Sequence, residues 1–297
     1  MNRLINPPSR CDVMACKIPV SVIVVTKNEA ASLARCLGAL TEFDEVIVVD
    51  SGSEDHTCEI AREHGADVIS YVWDGRYPKK RQWCLDSLEL VHDWVFFVDA
   101  DEVVTPDVVQ ETRDLFACGE INEAGFFVKA HYIWNGKMLR FGLQNQKLVL
   151  LQRSCIEFPV IDDLDYEGMG EIEGHYQPVL KEGFEDRPIG NLQAAMLHYA
   201  YDDMDAWQAR HLRYAQWESR MMIDQKWPED PIRFRRFLKY VFRAMPMRSV
   251  AAFLHSYILK FGFLDGAAGF DFARSRMRYY VMISDALKAN KAEEKLS

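Results

Sequence analysis

The sequence predicts an α/β fold: an open, mostly parallel sheet with helices on both faces, followed by a helical C-terminal extension. Three observations predict it. Near-continuous apolar runs begin near residues 20, 46, 68 and 94, the spacing that successive strand–helix units need. Polar turn residues follow these runs, and amphipathic stretches of helical period separate them. Beyond residue 203 the strand-like runs give way to long helical segments punctuated by Pro228, Pro231, Pro246 and Gly266.

Each element follows in order. Residues 20–25 are a β-branched run of strand length, and residues 30–40 an amphipathic helix. Residues 46–50 repeat the pattern, with Ser51, Gly52 and Ser53 as the turn and a short helix over 55–64 that Gly65 can cap. A third strand is expected at 68–72 and, after a loop holding Gly75 and Pro78, a helix at 79–90. Residues 94–98 read as a buried strand that ends in Asp99, Ala100, Asp101 and Glu102. Thr105 and Pro106 suit the N-cap and first turn of a helix running to about Ala117. Residues 125–130 and 147–153 suggest antiparallel strands joined by a hairpin, with Asn135–Gly136 as its turn. An acidic loop over 162–173 leads to a strand at 192–199, and helices are expected near 203–222, 232–244, 249–262 and 267–289. The chain thus divides into a flexible N-terminal tail at 1–17, an α/β domain at 18–200 and a helical region at 201–297.

Composition narrows the function. The 297 residues are 49% hydrophobic and 27% charged, a balance that excludes collagen-like and wholly disordered chains. A net charge of -10 argues against a protein that coats nucleic acid. The charge is uneven, because residues 231–290 carry eleven Lys and Arg against three acidic residues. Seven cysteines, none in a Cys-x-x-Cys pair, suggest neither a disulfide framework nor a zinc site, and fit a reducing, cytoplasmic compartment. Residues 1–17 lack the apolar core of a secretory signal. Residues 249–264, the most apolar stretch, contain His255 and Lys260 and fall short of the ~20 apolar residues of a spanning helix.

In open α/β sheets ligands sit beyond the carboxyl ends of the strands. The residues there are Thr26 to Glu29, Asp50 to Ser53, and Asp99 to Asp101. Asp99 and Asp101, one residue apart, project to the same side if the backbone stays extended. Mg²⁺ prefers one or two carboxylates shared with substrate phosphates, so such a pair suits a metal–diphosphate. Asp50 either accepts hydrogen bonds from a base or ribose or caps its own turn. Neither a Gly-x-Gly-x-x-Gly turn nor a Walker A loop follows the first strand, which argues against nicotinamide and P-loop readings.

Residues 20–29, residues 48–53 with Thr57, and residues 97–102 together resemble the nucleotide-binding half of family 2 glycosyltransferases of the Rossmann-like GT-A fold. Gly262 to Gly266 with Gly269, and Leu197 to Tyr199 followed by Trp207, His211 and Tyr214, are similar to the C-terminal half of bacterial lipopolysaccharide-core β-glucosyltransferases. The resemblance spans roughly residues 18–287. It implies that Thr26, Asn28 and Glu29 line a uridine pocket, that Asp50 and Ser51 contact the nucleotide, and that Arg81 lies near it. Gln82 stands where the family usually has Asn. It further implies that Asp99 faces the ribose or metal and that Asp101 is the principal ligand of Mn²⁺ or Mg²⁺.

The reaction so implied is inverting, metal-dependent transfer of a sugar from a nucleotide-diphosphate donor, expected to be a UDP-sugar, to a hydroxyl of a lipid-linked, lipopolysaccharide or surface-polysaccharide acceptor. It needs a carboxylate base for the attacking hydroxyl. The candidates lie in residues 170–176: Glu173 is favoured, His175 would orient it or contact phosphate, and Glu171 shares their face if the segment is extended. His198 and His211 either touch acceptor or diphosphate, or pack. Trp207, Tyr214 and Trp217 form a core-facing stripe. Arg233, Arg235, Arg236, Lys239, Arg243 and Arg248 alternate with Phe234, Phe237, Leu238, Tyr240, Val241 and Phe242, a pattern suited to an anionic membrane interface. The expected location is therefore peripheral, on the inner face of the cytoplasmic membrane. Two other readings compete. A sugar-phosphate nucleotidyltransferase would need a Gly-rich cationic loop in place of Thr26 to Glu29, and a catalytically silent membrane scaffold would lack metal-dependent turnover.

Overall fold

The computed structural model describes residues 16–164, 170–171, 177–199, 204–226 and 233–294. Strand β1 (Ile18–Thr26) is flanked in parallel by β2 (Phe43–Asp50) and β4 (Trp94–Asp99), with β3 (Asp67–Ser70) beyond β2. Val20, Val22, Ile23 and Val24 are fully buried, so both faces of β1 are covered, which explains why its sequence is a continuous apolar run. Helix α1 (Ala30–Gly38) contributes Leu33, Cys36 and Leu37 to that core. Helices α2 (Thr57–Glu63) and α3 (Lys80–Ser87) are the other short crossovers, and α3 stops three residues before the expected end. Helix α4 (Pro106–Ala117) starts as expected: Thr105 Oγ1 accepts a hydrogen bond from Val108 N at 3.4 Å, and Pro106 needs no partner in the first turn.

The second half of the sheet contains β5 (Glu102–Val103), β6 (Gly125–Trp134), β7 (Lys137–Met138), β8 (Asn145–Gln152) and β11 (Ile189–His198). Among the described strands the order is β3-β2-β1-β4-β8-β6-β11-β5, with β7 paired to β6. Strands β1 to β4, β6 and β11 share one direction, whereas β8 and β5 run against it. The physical reason is loop length: α4 supplies the crossover that keeps β6 parallel to β4, but no helix precedes β8, so it can return only as an antiparallel insert. The turn at Asn135 (φ 47°) and Gly136 (φ 74°) is the left-handed pair of a tight hairpin, yet it joins β6 to the two-residue β7 and not to β8. Strands β9 (Ile156–Glu157) and β10 (Val179–Leu180) form a separate antiparallel pair.

Helices α5 (Met204–Asp224), α6 (Arg233–Ala244), α7 (Arg248–Leu254) and α8 (Ala267–Glu294) follow. The helix expected over 249–262 ends at Leu254, passes into a π turn (His255–Leu259), and is separated from α8 by a 3₁₀ turn (Gly262–Asp265). Trp207 of α5 and Phe272 of α8 pack with Trp134 and Leu139, which seats the helices on the β6–β7 end of the sheet. Trp217 and Met221 pack on Ile161, so the aromatic stripe of α5 faces inward. Among the described residues no helix is long and apolar enough to cross a membrane.

Candidate active site

Register alone assembles the floor of the site. Thr26 lies opposite Asp50 across β1 and β2, and Val25 lies opposite Asp99 across β1 and β4. Thr26, Asp50 and Asp99 therefore end three adjacent strands at one level. Thr26 Oγ1 donates to Asp50 Oδ1 at 3.0 Å, while Ser53 donates its main-chain N–H to Asp50 Oδ2 at 2.8 Å and its hydroxyl to Oδ1 at 2.5 Å. Burial pushes the Asp50 carboxyl up, but the hydrogen bonds from Ser53 and Thr26 outweigh it, so its pKa lies below the usual carboxylate value. Asp50 thus holds the Ser51–Gly52–Ser53 turn, whose Gly52 sits at φ 74°. Among the described residues the buried hydroxyl of Ser51 has no hydrogen-bond partner.

The loop after β1 is sewn to this turn. Asn28, at φ 56°, donates its N–H to Ser53 Oγ at 2.7 Å and accepts from Glu54 N at 2.8 Å. Glu29 N donates to Thr57 Oγ1 at 2.8 Å, and Ala30 N donates to Asp55 Oδ2 at 3.1 Å. These bonds fix two loops that would otherwise be independent, so their main chain presents a rigid wall. Burial raises the pKa of Glu29, with a smaller contribution from the negative charge of Asp101.

The two aspartates of the Asp-x-Asp motif take different partners. The backbone does not stay extended here: a turn at Ala100 and Asp101 precedes β5. Asp99 Oδ1 accepts from Arg81 at 2.6 Å and Oδ2 from Lys147 Nζ at 2.5 Å; Lys147 also bonds Glu102 Oε1 at 2.8 Å. Desolvation opposes ionisation of Asp99, but Lys147 and Arg81 overcome it and hold its pKa far below the usual range. Lys147 is itself desolvated, and the two carboxylates keep it protonated.

Asp101 faces elsewhere. Strand β5 pairs with the end of β11, with His198 opposite Glu102, and Tyr199 N donates to Asp101 O at 2.8 Å. This pairing brings His198 Nε2 to 3.4 Å from Asp101 Oδ1, while Arg210 lies 3.5 Å from Oδ2. His198 stacks on Tyr132 with centroids 5.2 Å apart, and its Nδ1 is 3.3 Å from the amide of Asn145. Burial lowers the pKa of His198, but Asp101 raises it by more; in return His198 is the main group that brings Asp101 below its usual value against desolvation. Arg35 lies 3.4 Å above the ring of Tyr199 and closes this side.

The oxygen of Asp101 and the nitrogen of His198 converge at a distance comparable to the ~3 Å between neighbouring ligands of an octahedral ion with ~2.1 Å bonds. The carboxylate suits Mn²⁺ or Mg²⁺, which keep their other positions for phosphate and water, whereas the imidazole is a softer ligand that fits Mn²⁺ better than Mg²⁺. Among the described residues no cluster of three or more His, Cys, Asp or Glu side chains forms a larger cage.

Of the residues singled out from sequence, Thr26, Asn28, Glu29, Asp50, Ser51, Arg81, Asp99 and Asp101 come together at this edge of the sheet. Glu171 is close by: its carbonyl accepts from Lys80 N at 3.1 Å and its carboxylate lies 3.6 Å from Lys80 Nζ. Glu173 and His175 lie outside the described residues. Sequence reasoning missed Lys147, Glu102 and Lys80. A lysine at the mouth of the apolar run 148–151 and a glutamate directly after Asp101 were the available signals. His211 Nδ1 donates to Trp207 O at 2.8 Å and its ring stacks on Trp207, a packing role.

Known proteins match part of this chain. An uncharacterized glycosyltransferase of Rickettsia felis is 41% identical over 99 residues, which are 33% of this chain and 34% of that one. The lipopolysaccharide core biosynthesis glycosyltransferase LpsC of Rhizobium meliloti is 32% identical over 109 residues, 35% of this chain and 39% of LpsC. The matches thus span little more than a third of these relatives. A crystal structure of glucosyl-3-phosphoglycerate synthase from Mycobacterium tuberculosis, with Mg²⁺ and uridine diphosphate, overlaps 41% of this chain and 47% of its own at 25% identity and a TM-score of 0.31, too loosely to inform the site. Residues 21–132, which contain β1, β2, β4, the Asp-x-Asp turn and Tyr132, match the model of glycosyl transferase family 2.

Proposed function

We propose that the chain is an inverting glycosyltransferase that moves a sugar from a UDP-sugar to a hydroxyl of a lipid-linked acceptor of the lipopolysaccharide or surface-polysaccharide class. The observation that carries this reading is the row Thr26–Asp50–Asp99 beside the converging pair Asp101 and His198. In this reading residues 18–200 form the donor-binding and catalytic unit and residues 201–297 the helical unit. The nucleoside lies against Thr26, Asn28, Glu29 and the Ser51 turn that Asp50 holds. Arg81 and Lys147 keep Asp99 ionised, their two charges balanced by Asp99 and Glu102. Asp101 and His198 would hold Mn²⁺ or Mg²⁺, which when bound neutralises charge on the leaving diphosphate.

The acceptor oxygen forms its bond to the anomeric carbon as the carbon–phosphate oxygen bond breaks. The electron pair of that bond leaves on the nucleoside diphosphate, and the hydroxyl proton passes to a carboxylate. Glu173 is assigned that proton, with His175 orienting it; Glu171, tied to Lys80, is the alternative. Placement on the inner face of the cytoplasmic membrane, through the basic and aromatic α6, agrees with a lipid-linked acceptor and with the likeness to LpsC.

Release of uridine diphosphate from a panel of UDP-sugars, with and without Mn²⁺, tests the reading. Asp101→Asn is expected to abolish metal-dependent release. Glu173→Gln is expected to preserve donor binding and cut turnover ~10²-fold or more. Metal-independent release by wild type, untouched by Asp101→Asn, would overturn the assignment.

A further inference from the structure

The connection between α7 and α8 carries an apolar surface that nothing in the catalytic reading uses. Leu254, Ile258, Leu259, Phe261, Phe263 and Leu264 are all exposed, Leu259 at 69% and Phe261 at 56%. They are not scattered. Ring contacts run from Phe253 to Tyr257 at 5.3 Å, from Tyr257 to Phe263 at 6.3 Å, and from Phe263 to Phe261 at 6.2 Å, with Phe270 5.6 Å from Tyr257. A contiguous apolar surface of this kind marks an interaction site.

The tip is held in shape from behind. Asp265 is buried and accepts from the main-chain N–H groups of Arg140 at 3.2 Å and Phe141 at 2.9 Å. Lys137 Nζ donates to Asp265 O at 2.7 Å, and Gly142 N donates to Lys260 O at 2.8 Å. Gly269 presses so closely on Gly262 that an added Cβ would lie 1.9 Å from the Gly262 carbonyl oxygen. The apolar side chains are thus displayed by a braced turn.

Charge selects the occupant. Lys137 Nζ and Arg140 N both bond Asp265, whose side chain is buried, which sets these two exposed cationic residues beside the tip. Lys260 is exposed at the apolar tip itself. An apolar point flanked by Lys260, Lys137 and Arg140 complements an anionic lipid interface, whereas a second copy of the same surface would bring like charges together.

We infer that residues 254–264 are the element that enters the headgroup region of an anionic bilayer, with Lys260 at headgroup level. This rests on the membrane reading proposed above but names a different element from α6. It also has a mechanical consequence. The bonds from Asp265 and Lys260 end on the loop between β6 and β8, and those strands carry Tyr132 and Asn145, which hold His198. A docked tip therefore sets the height of the candidate active site above the lipid.

Flotation of the full chain with phosphatidylcholine vesicles, with and without phosphatidylglycerol, tests the inference. Wild type is expected to float with the anionic vesicles. The double variant Leu259→Ser, Phe261→Asn is expected to partition roughly 10-fold or more weakly, with an unchanged melting temperature. As a second measurement that leaves the tip apolar, Phe261→Trp is expected to add fluorescence that brominated lipid quenches beyond the wild-type level. Undiminished flotation of the double variant, or an introduced indole that brominated lipid does not quench, overturns the tip assignment while the α6 reading stands. Failure of wild type to float at low salt overturns both. A concentration-dependent dimer that the double variant abolishes, without flotation, assigns the surface to a second copy and also overturns the inference.

Discussion

Replacing Lys147 with Met exposes how the candidate site is held together. Lys147 Nζ is 2.5 Å from Asp99 and 2.8 Å from Glu102, and the Glu102 side chain is 1% exposed. An exposed ion pair would be worth no more than ~1 kcal/mol. Removing one partner of a buried pair costs about 3–5 kcal/mol, because the remaining charge stays in a poorly solvated place. The lower end applies here: Asp99 keeps Arg81 at 2.6 Å and reaches solvent, and Glu102 still accepts from Asp99 N at 3.1 Å. A loss of about 3 kcal/mol should lower the melting temperature by ~6–12 °C in a chain of this size. Urea unfolding and thermal scans measure it. Lys147→Arg should recover part of the loss, and the pair Lys147→Met with Glu102→Gln should lose less than the sum of its single changes. The sign of the pH dependence follows from Asp99. Its folded pKa is depressed, so its contribution to stability is present above the unfolded carboxylate value of about 4 and is lost as pH falls. The gap between wild type and Lys147→Met should accordingly narrow below about pH 4. A gap under ~1 kcal/mol at neutral pH, or one that widens in acid, would refute this account of the cation between Asp99 and Glu102.

Two further outcomes follow from the same structure. Asp163 and Lys79 form a fully buried pair at 2.8 Å, and Asp163 also accepts from Tyr77 OH at 2.8 Å and Trp217 Nε1 at 3.1 Å; Asp163→Asn should cost about 2–4 kcal/mol in urea unfolding, and a change within ~0.5 kcal/mol would contradict that role. His198 has a raised pKa because Asp101 favours its protonated form, so that contribution to stability is present below the unfolded value near 6.5 and is lost as pH rises through the folded value; Mn²⁺ affinity, measured calorimetrically, should therefore rise with pH across the same interval in wild type, and a flat profile would remove His198 from the cation site.

The local part of this site is legible in the amino-acid sequence. The β-branched runs locate β1, β2 and β4, and polar residues at their ends mark Thr26, Asp50 and Asp99 because parallel strands end at one level. Thr105 and Pro106 announce α4 for local reasons too. What escapes a reading of the sequence is non-local. Two partners, Lys147 of Asp99 and His198 of Asp101, come from β8 and β11, more than forty residues on, and nothing short of the sheet order shows that β8 inserts beside β4 or that β11 meets β5. The condition under which Asp99 and Asp101 would share a side, an extended backbone, is not met because Ala100 and Asp101 turn to start β5. The π turn after α7 is hidden for the same reason: residues 249–262 have helical composition, and only the bonds to Arg140, Phe141 and Gly142 show why the helix is broken.

A crystal grown with uridine diphosphate and Mn²⁺, with data collected at the manganese edge, tests the central claim most directly. The account predicts one anomalous peak ligated by the Asp101 carboxylate and the His198 imidazole, with the diphosphate on the metal and the uracil beside Thr26 and the Ser51 turn. A manganese bound elsewhere, with Asp101 still paired to His198 and Arg210 and the nucleotide away from β1 and β2, would contradict it.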